Sequence, residues 1–446
     1  MTINVKTKTF CLALCVLLGF GACGSPEFPD PNNPGLEEFE KNPTPAGVNA
    51  ATTGLLLGYR LGKNTLNGYV ALLGVLGREA YVLEAGDARY ITEMLGAPQL
   101  DPGSPAFGGN FWELPYRNIR NAYIVLHAVD KVAGLSEEQK QGVRGFTKTM
   151  LALEFLHLFN TRYTNGVVLD VDRPLDAPLA PIETDPAKVL AHINQLLDEG
   201  KTHLQTAGGA FSFPLNSGFE GFDTPATFLT FNRALKARVE VYAGHYTEAL
   251  TALEESFLDG TGDMNKGVYS AYGTSSGDTT NALNNPSIFA HPSVVADAER
   301  KLDGTLDDRV LRKVKDVESR TLQGLTSSHA FKMYERPNSP IPIIRNEELL
   351  LLRAEAYLKL GDFYPAERDI NVVRTRSGGL PALLLNASTI ENELLKQRRY
   401  SLLFEGGHRW IDMRRFGKLN ELPKDRQGDN VHSAFPIPTA ELDARQ

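Results

Sequence analysis

Three short patterns pair residue types at spacings that support chemistry. Gly273-Thr274-Ser275-Ser276-Gly277 has the G-x-S-x-G spacing of a nucleophile elbow. That device needs a strand entering and a helix leaving, so that a sharp turn lifts the serine hydroxyl clear of the backbone. Ser270-Ala271-Tyr272 before it and the polar run from Asp278 after it suit neither role, so a loop of small residues is expected. Glu154/His157 and Glu405/His408 are E-x-x-H pairs, the spacing with which bundle helices hold a dinuclear metal centre. Gly406 and Gly407 interrupt the second pair and would break the turn that must aim both side chains at one ion. No metal is expected there. Asp259, Asp263 and Asn265 form an oxygen-rich loop that lacks the terminal glutamate of an EF-hand, and calcium at that loop is left open. The chain has no phosphate-cradling glycine loop, H-E-x-x-H or C-x-x-C, and no cofactor is expected.

A fourth stretch is denser. "RRYSLLFEGGHRWIDMRRFGKL" (Arg398–Leu419) combines clustered arginines, a Glu-Gly-Gly-His turn and one of only two tryptophans in the chain. By its residues alone it could be an active site or a piece of scaffold, and the elements around it must decide.

With 446 residues, 42% hydrophobic and 22% charged, the chain reads as an ordinary globular protein, neither disordered nor polytopic. A net charge of −8 with no basic block makes nucleic acid an unsuitable partner. At the N-terminus, Lys6 and Lys8 precede an apolar run, Phe10–Phe20, too short to span a bilayer. Small residues follow before Cys23, in the order of a secretory signal. Phe20-Gly21-Ala22-Cys23 resembles a bacterial lipobox, with phenylalanine in place of the usual leucine. Cys11 and Cys15 leave with a signal at 1–22, so Cys23 is the one cysteine retained and is expected to carry lipid. Gly24, rather than the aspartate of inner-membrane retention, favours the outer membrane. Residues 23–35, rich in proline, read as an extended tether.

Helical signals dominate from residue 36 to 446. Ser136-Glu137-Glu138-Gln139 and Ser388-Thr389-Ile390-Glu391 are capping-box patterns. Val143, Phe146, Met150 and Leu153 follow the first at helical spacing. "ALKARVEVYAGHYTEALTAL" (Ala234–Leu253) and "LRAEAYLKLGDFYPAERDI" (Leu352–Ile370) share a frame of Ala237/Ala354, Gly244/Gly361, Tyr246/Phe363 and Ala249/Ala366. Small residues let two helices approach, glycine ends the first, and the aromatic is expected to pack into the pair. The frame looks like the tetratricopeptide hairpin without its tandem period. Gly96–Asn110, Thr206–Thr224 and Gly260–Ser287 are long polar segments, expected as binding loops or insertions.

The C-terminal blocks carry a resemblance. Arg345, Ala354-Glu355-Ala356, Asn371 with Arg374 and Arg376, Arg398-Arg399, Phe404-Glu405-Gly406, Arg409-Trp410, Asp412, Arg414-Arg415, Pro436-Ile437-Pro438 and Glu441 closely resemble the SusD/RagB lipoproteins. "FWELPYRNIRNAYIVLHAVD" resembles the family's first repeat helix, with Trp112, Tyr116, Ile119 and Ala122 in register. The resemblance implies an all-α fold of four tetratricopeptide-like hairpins with long irregular loops, in halves 36–205 and 225–446. It implies a lipid-anchored protein on the outward face of the outer membrane. Such a protein binds an oligosaccharide or peptide and delivers it, without catalysis, to a SusC-like TonB-dependent transporter. In this family the stretch Arg398–Leu419 is scaffold, and Glu405 is a structural acceptor.

The resemblance also implies a ligand face in two places, Asp87–Phe111 and Gly267–Asn285. Asp87, Arg89, Tyr90, Phe107 and Asn110 are the candidates in the first, Tyr269 and Tyr272 in the second. An aromatic beside an arginine or aspartate can stack a ring and orient its polar groups, while the other reading of Tyr90 and Phe107 is that they pin their loop to the helices. Trp112 and Trp410 both fall in scaffold motifs, which weakens a starch-like specificity and leaves peptides open. Two other readings remain: a surface hydrolase with its site in Gly260–Ser287, and a tetratricopeptide adaptor that binds only proteins.

Overall fold

The computed structural model describes residues 36–446 apart from Pro105 and Leu175. The expected signal, Cys23 and the tether at 23–35 lie outside the described residues. Helices carry the architecture, and consecutive ones pack on each other. Glu113–Lys131 packs on Glu137–Arg162, which packs on Pro186–Thr206, and that helix in turn packs on Pro225–Ala243.

The local signals explain where these helices begin and end. Ser136 Oγ accepts from the Gln139 N–H at 3.3 Å, and Gln139 Oε1 accepts from the Ser136 N–H at 2.9 Å. Both orphan donors are satisfied, and Val143, Phe146, Met150 and Leu153 line the buried face. The box expected at Ser388–Glu391 does not form. The Ser388 hydroxyl donates to Asn386 Oδ1 at 2.6 Å, and the helix starts at Ile390 without a side-chain cap. A nearby asparagine has outcompeted the helix for the serine.

The two hairpins are Pro225–Ala243 with Tyr246–Glu254, and Asn346–Leu360 with Phe363–Gly378. Gly244 and Gly361 take φ of 79° and 86°, the left-handed termination that glycine permits. Ala237, Ala249, Ala354 and Ala366 are fully buried where the helices meet. Tyr246 packs against the core, whereas Phe363, at the tip of its hairpin, is 42% exposed. The aromatic half of the shared frame therefore holds for one hairpin only.

Among the described residues the strands are short and lie in four two-stranded antiparallel pairs. Ala80–Val82 pairs with Ile288–Ala290, and Gly267–Ser270 with Ile341–Arg345, so sequence-distant segments are tied together. Val314–Leu322 and Leu325–Phe331 close over Gln323 and Gly324, whose φ values of 49° and 82° suit a tight hairpin turn. One apolar cluster runs from Val48 to Leu253 and takes in Ile343–Ala356. A second joins Tyr69–Phe111 to Tyr272–Phe435. The polar look of Thr206–Thr224 is misleading. Phe213, Phe219 and Phe222 are buried, and Phe211 and Phe219 pack on Phe228. That segment is core, not a binding loop.

Candidate ligand-binding surface

The stretch Arg398–Leu419 is a buried ion-pair scaffold. Glu405 accepts from Arg345 Nη2 at 2.8 Å, from Arg345 Nε at 3.1 Å and from Lys313 Nζ at 2.7 Å. Arg398 grips Asp412 through two bonds of 2.6 and 3.1 Å, and Arg415 grips Glu355 through bonds of 2.8 and 3.0 Å. Such forked bonds fix both position and orientation. The Trp410 Nε1–H donates to the His432 carbonyl at 2.7 Å, and Arg414 reaches the Asn160 and Ser433 carbonyls. Gly406 and Gly407, at φ 133° and 78°, make the turn between the two helices. Burial works to raise the Glu347 carboxyl, but Arg345, Lys313 and Arg309 outweigh it and hold it at about 2.

His157 of the first E-x-x-H pair and both Glu405 and His408 of the second line one cavity of about 40 Å³. Glu405 is committed to Arg345 and Lys313. The His157 ring meets the Tyr59 hydroxyl at 3.2 Å. Burial lowers His408 to about 4. Among the described residues no group of three His, Cys, Asp or Glu could hold a metal ion. In the oxygen-rich loop, the carbonyls of Gly260, Thr261 and Gly262 accept from the Arg376 guanidinium at 2.8–3.0 Å. A fixed cation already occupies that side of the loop. Ser275 is exposed in an irregular segment with no helix after it, so no nucleophile elbow forms.

Of the residues expected at the ligand face, the structure gathers four. Arg89 donates to Asp87 at 3.0 and 2.7 Å, its guanidinium lies 4.7 Å from the Phe107 ring, and Phe107 meets Tyr90 edge-on at 4.8 Å. Arg89 is exposed and Asp87 half-buried, but Tyr90 and Phe107 are buried in the second core. Asn110 is half-buried, donates to the Asn67 carbonyl at 2.8 Å, and its own carbonyl accepts from Arg162. Tyr269 is half-buried with its hydroxyl on the Asn265 carbonyl, and Tyr272 is buried beside Arg60. For Tyr90 and Phe107 the burial matches the loop-pinning reading, and Tyr272 is buried in the same core. Polar groups at Asp87, Arg89, Asn110 and Tyr269 stay near the surface.

A groove that the sequence reading missed opens elsewhere. It encloses about 480 Å³ between the helix Glu113–Lys131 and the segment Val168–Ala180, with Trp112, Tyr116 and Leu179 in its lining. The signal lay in the run Pro174–Ala180, whose prolines and alanines are apolar without helical or strand period. Trp112 keeps the scaffold role expected of it: it is nearly buried, and its Nε1–H donates to Glu441 at 3.2 Å.

Stacked helical hairpins, a buried arginine–carboxylate frame and irregular connecting loops define a helical-hairpin fold. Residues 312–445 match the model of the SusD family. A SusD superfamily protein from Bacteroides vulgatus is similar at 18% identity over 90% of this chain and 97% of its own, with a TM-score of 0.66. A SusD-like carbohydrate-binding protein from Bacteroides fragilis matches at 15% identity over 86% and 88%, with a TM-score of 0.68. A laminarin-binding SusD-like protein matches at 18% identity over 90% and 98%, with a TM-score of 0.59. No curated protein sequence matches the chain.

Proposed function

We propose that this protein binds a nutrient, an oligosaccharide or a peptide, and delivers it without catalysis to a SusC-like TonB-dependent transporter. The match of residues 312–445 to the SusD family model, on a fold like that of SusD superfamily structures, is the observation that carries the reading. Solved structures of similar fold include a laminarin-binding protein and a carbohydrate-binding one, which supports a nutrient ligand. The hydrolase reading loses its ground in Gly260–Ser287, where Ser275 lacks the strand–turn–helix setting that would activate it. A protein-only adaptor is distinguished by calorimetry, since it would bind no small nutrient.

Cys23 anchors the chain by lipid to the outer membrane, facing outward, in this account. Labelling cells with an alkyne fatty acid is expected to tag the protein, and Cys23→Ala to abolish the tag. A tag that persists in the variant would refute the anchor.

Asp87, Arg89, Asn110 and Tyr269 supply polar contacts to the nutrient at the loop face. Arg89 is exposed and paired with Asp87, so Arg89→Ala is expected to melt like the parent. Nutrient affinity, measured by calorimetry, should fall by about tenfold, the loss of one charge-assisted contact. Unchanged affinity would move the ligand away from this patch.

A further inference from the structure

We infer that the cavity at Gly244, lined by Tyr163, Tyr242, Tyr246 and Arg414, binds a hexuronic acid, a single sugar ring bearing a carboxylate. It shares no residue with the loop face of Asp87 and Arg89, and it does not depend on the delivery reading. The cavity lies where the turn between Pro225–Ala243 and Tyr246–Glu254 meets the ends of Glu137–Arg162, Pro186–Thr206 and His408–Arg415. Its volume is about 220 Å³. That is below the roughly 300 Å³ at which drug-sized sites begin, so it has room for one ring rather than a chain.

One charge at this cavity is left over. No aspartate or glutamate lines it. Arg415, in the lining, is engaged by Glu355 at 2.8 Å and by Asp412 at 3.0 Å, and Arg398 also holds Asp412. Those two arginines and two carboxylates balance. Arg414 has no ion pair among the described residues and is only 7% exposed. Its Nη1 and Nη2 donate to the carbonyls of Ser433 and Asn160 at 2.8 and 2.9 Å. Its Nε has no partner among the described residues, and each Nη keeps a second N–H to offer. Burial lowers its pKa to about 10, so it stays charged at neutral pH. A carboxylate in the cavity compensates that charge and takes its spare donors.

The rest of the lining selects a sugar among acids. Phe159, Leu190, Val241 and Ile411 give the cavity an apolar side. The Tyr242 hydroxyl is out of solvent and has no partner among the described residues, and Tyr163 and Tyr246 are half-buried beside it. A hydrocarbon acid would leave the Tyr242 hydroxyl unpaired, which is costly for a buried polar group. A sugar ring has hydroxyls to meet it and an apolar face to lie on the aromatic rings.

Calorimetry with galacturonate, galactose and cyclohexanecarboxylate tests this. Galacturonate is expected to bind at millimolar concentration, with affinity falling as salt rises. Galactose lacks the carboxylate and cyclohexanecarboxylate lacks the hydroxyls, and each should bind about tenfold more weakly. Arg414→Gln would free two backbone carbonyls and endanger the fold, so two milder changes serve. Tyr242→Phe removes a hydroxyl without a partner; it should melt like the parent and weaken galacturonate about fivefold. Pro186→Glu places a carboxylate at the cavity from the first turn of its helix, where an acid is well tolerated. It should also melt like the parent and weaken galacturonate about tenfold. Crystals soaked with galacturonate should show its carboxylate on Arg414. Equal binding of galactose or of cyclohexanecarboxylate would overturn the inference. So would two variants that bind like the parent, or a soaked cavity that holds water alone.

Discussion

Glu405→Ala is expected to lower the stability of the protein by about 3–5 kcal/mol, because it strands buried cations. Arg345 and Lys313 are both largely out of solvent and both turn to this carboxylate. Among the described residues, Glu347, 2.9 Å from Arg345, remains the sole acidic partner of that arginine after the substitution. Glu405→Gln keeps the shape but not the charge, and should fall between alanine and the parent. Urea unfolding reads all three. Full stability together with lost nutrient uptake would make Glu405 functional and overturn its assignment as scaffold. The same cluster sets an acid limit. Glu347 sits at about 2 in the folded protein, below its ordinary value. Its contribution is therefore complete above the ordinary carboxylate range and is lost as pH falls toward 2.

Glu79 is expected to show the opposite pH behaviour. It is fully buried, and the Phe404 backbone is the one hydrogen-bonding group among the described residues that favours its charged form. Burial, only partly countered by Arg409, raises its pKa to about 8. A raised folded pKa gives stability that is present below the unfolded value and drains away as pH climbs to the folded one. Glu79→Gln removes that titration while keeping the shape. Between about pH 5 and 7.5 the parent should lose ~3 kcal/mol relative to the variant, from the cost per pH unit of a shifted group. Urea midpoints at the two pH values test this. Parallel losses in the two proteins would show that Glu79 does not titrate in this window.

What the sequence made legible was whatever local chemistry enforces. The Ser136–Gln139 capping box, the left-handed Gly244 and Gly361, and the buried alanines between helices follow from contacts within a few residues. The scaffold role of Arg398–Leu419 was legible only through the family resemblance, with which the pairing of buried arginines and carboxylates agrees. Long-range placement was not. Phe211 and Phe219 sit among glycines and serines, and only the fold shows that Phe146 and Phe228 receive them. Tyr90, next to Arg89, and Phe107 were candidates for a ligand platform, yet each uses the other as a core neighbour. The Trp112 groove was invisible because its walls come from residues 112–120, 168–180 and the C-terminal Glu441 and Arg445. No spacing rule links segments so far apart.

Nutrient delivery is tested most directly by recovering the tagged protein in mild detergent from the outer membranes of the cells that make it, and identifying what comes with it. The account predicts a TonB-dependent barrel that co-purifies specifically and is absent from an untagged control. Recovery of the protein alone from those membranes, or only from the soluble fraction, would contradict it.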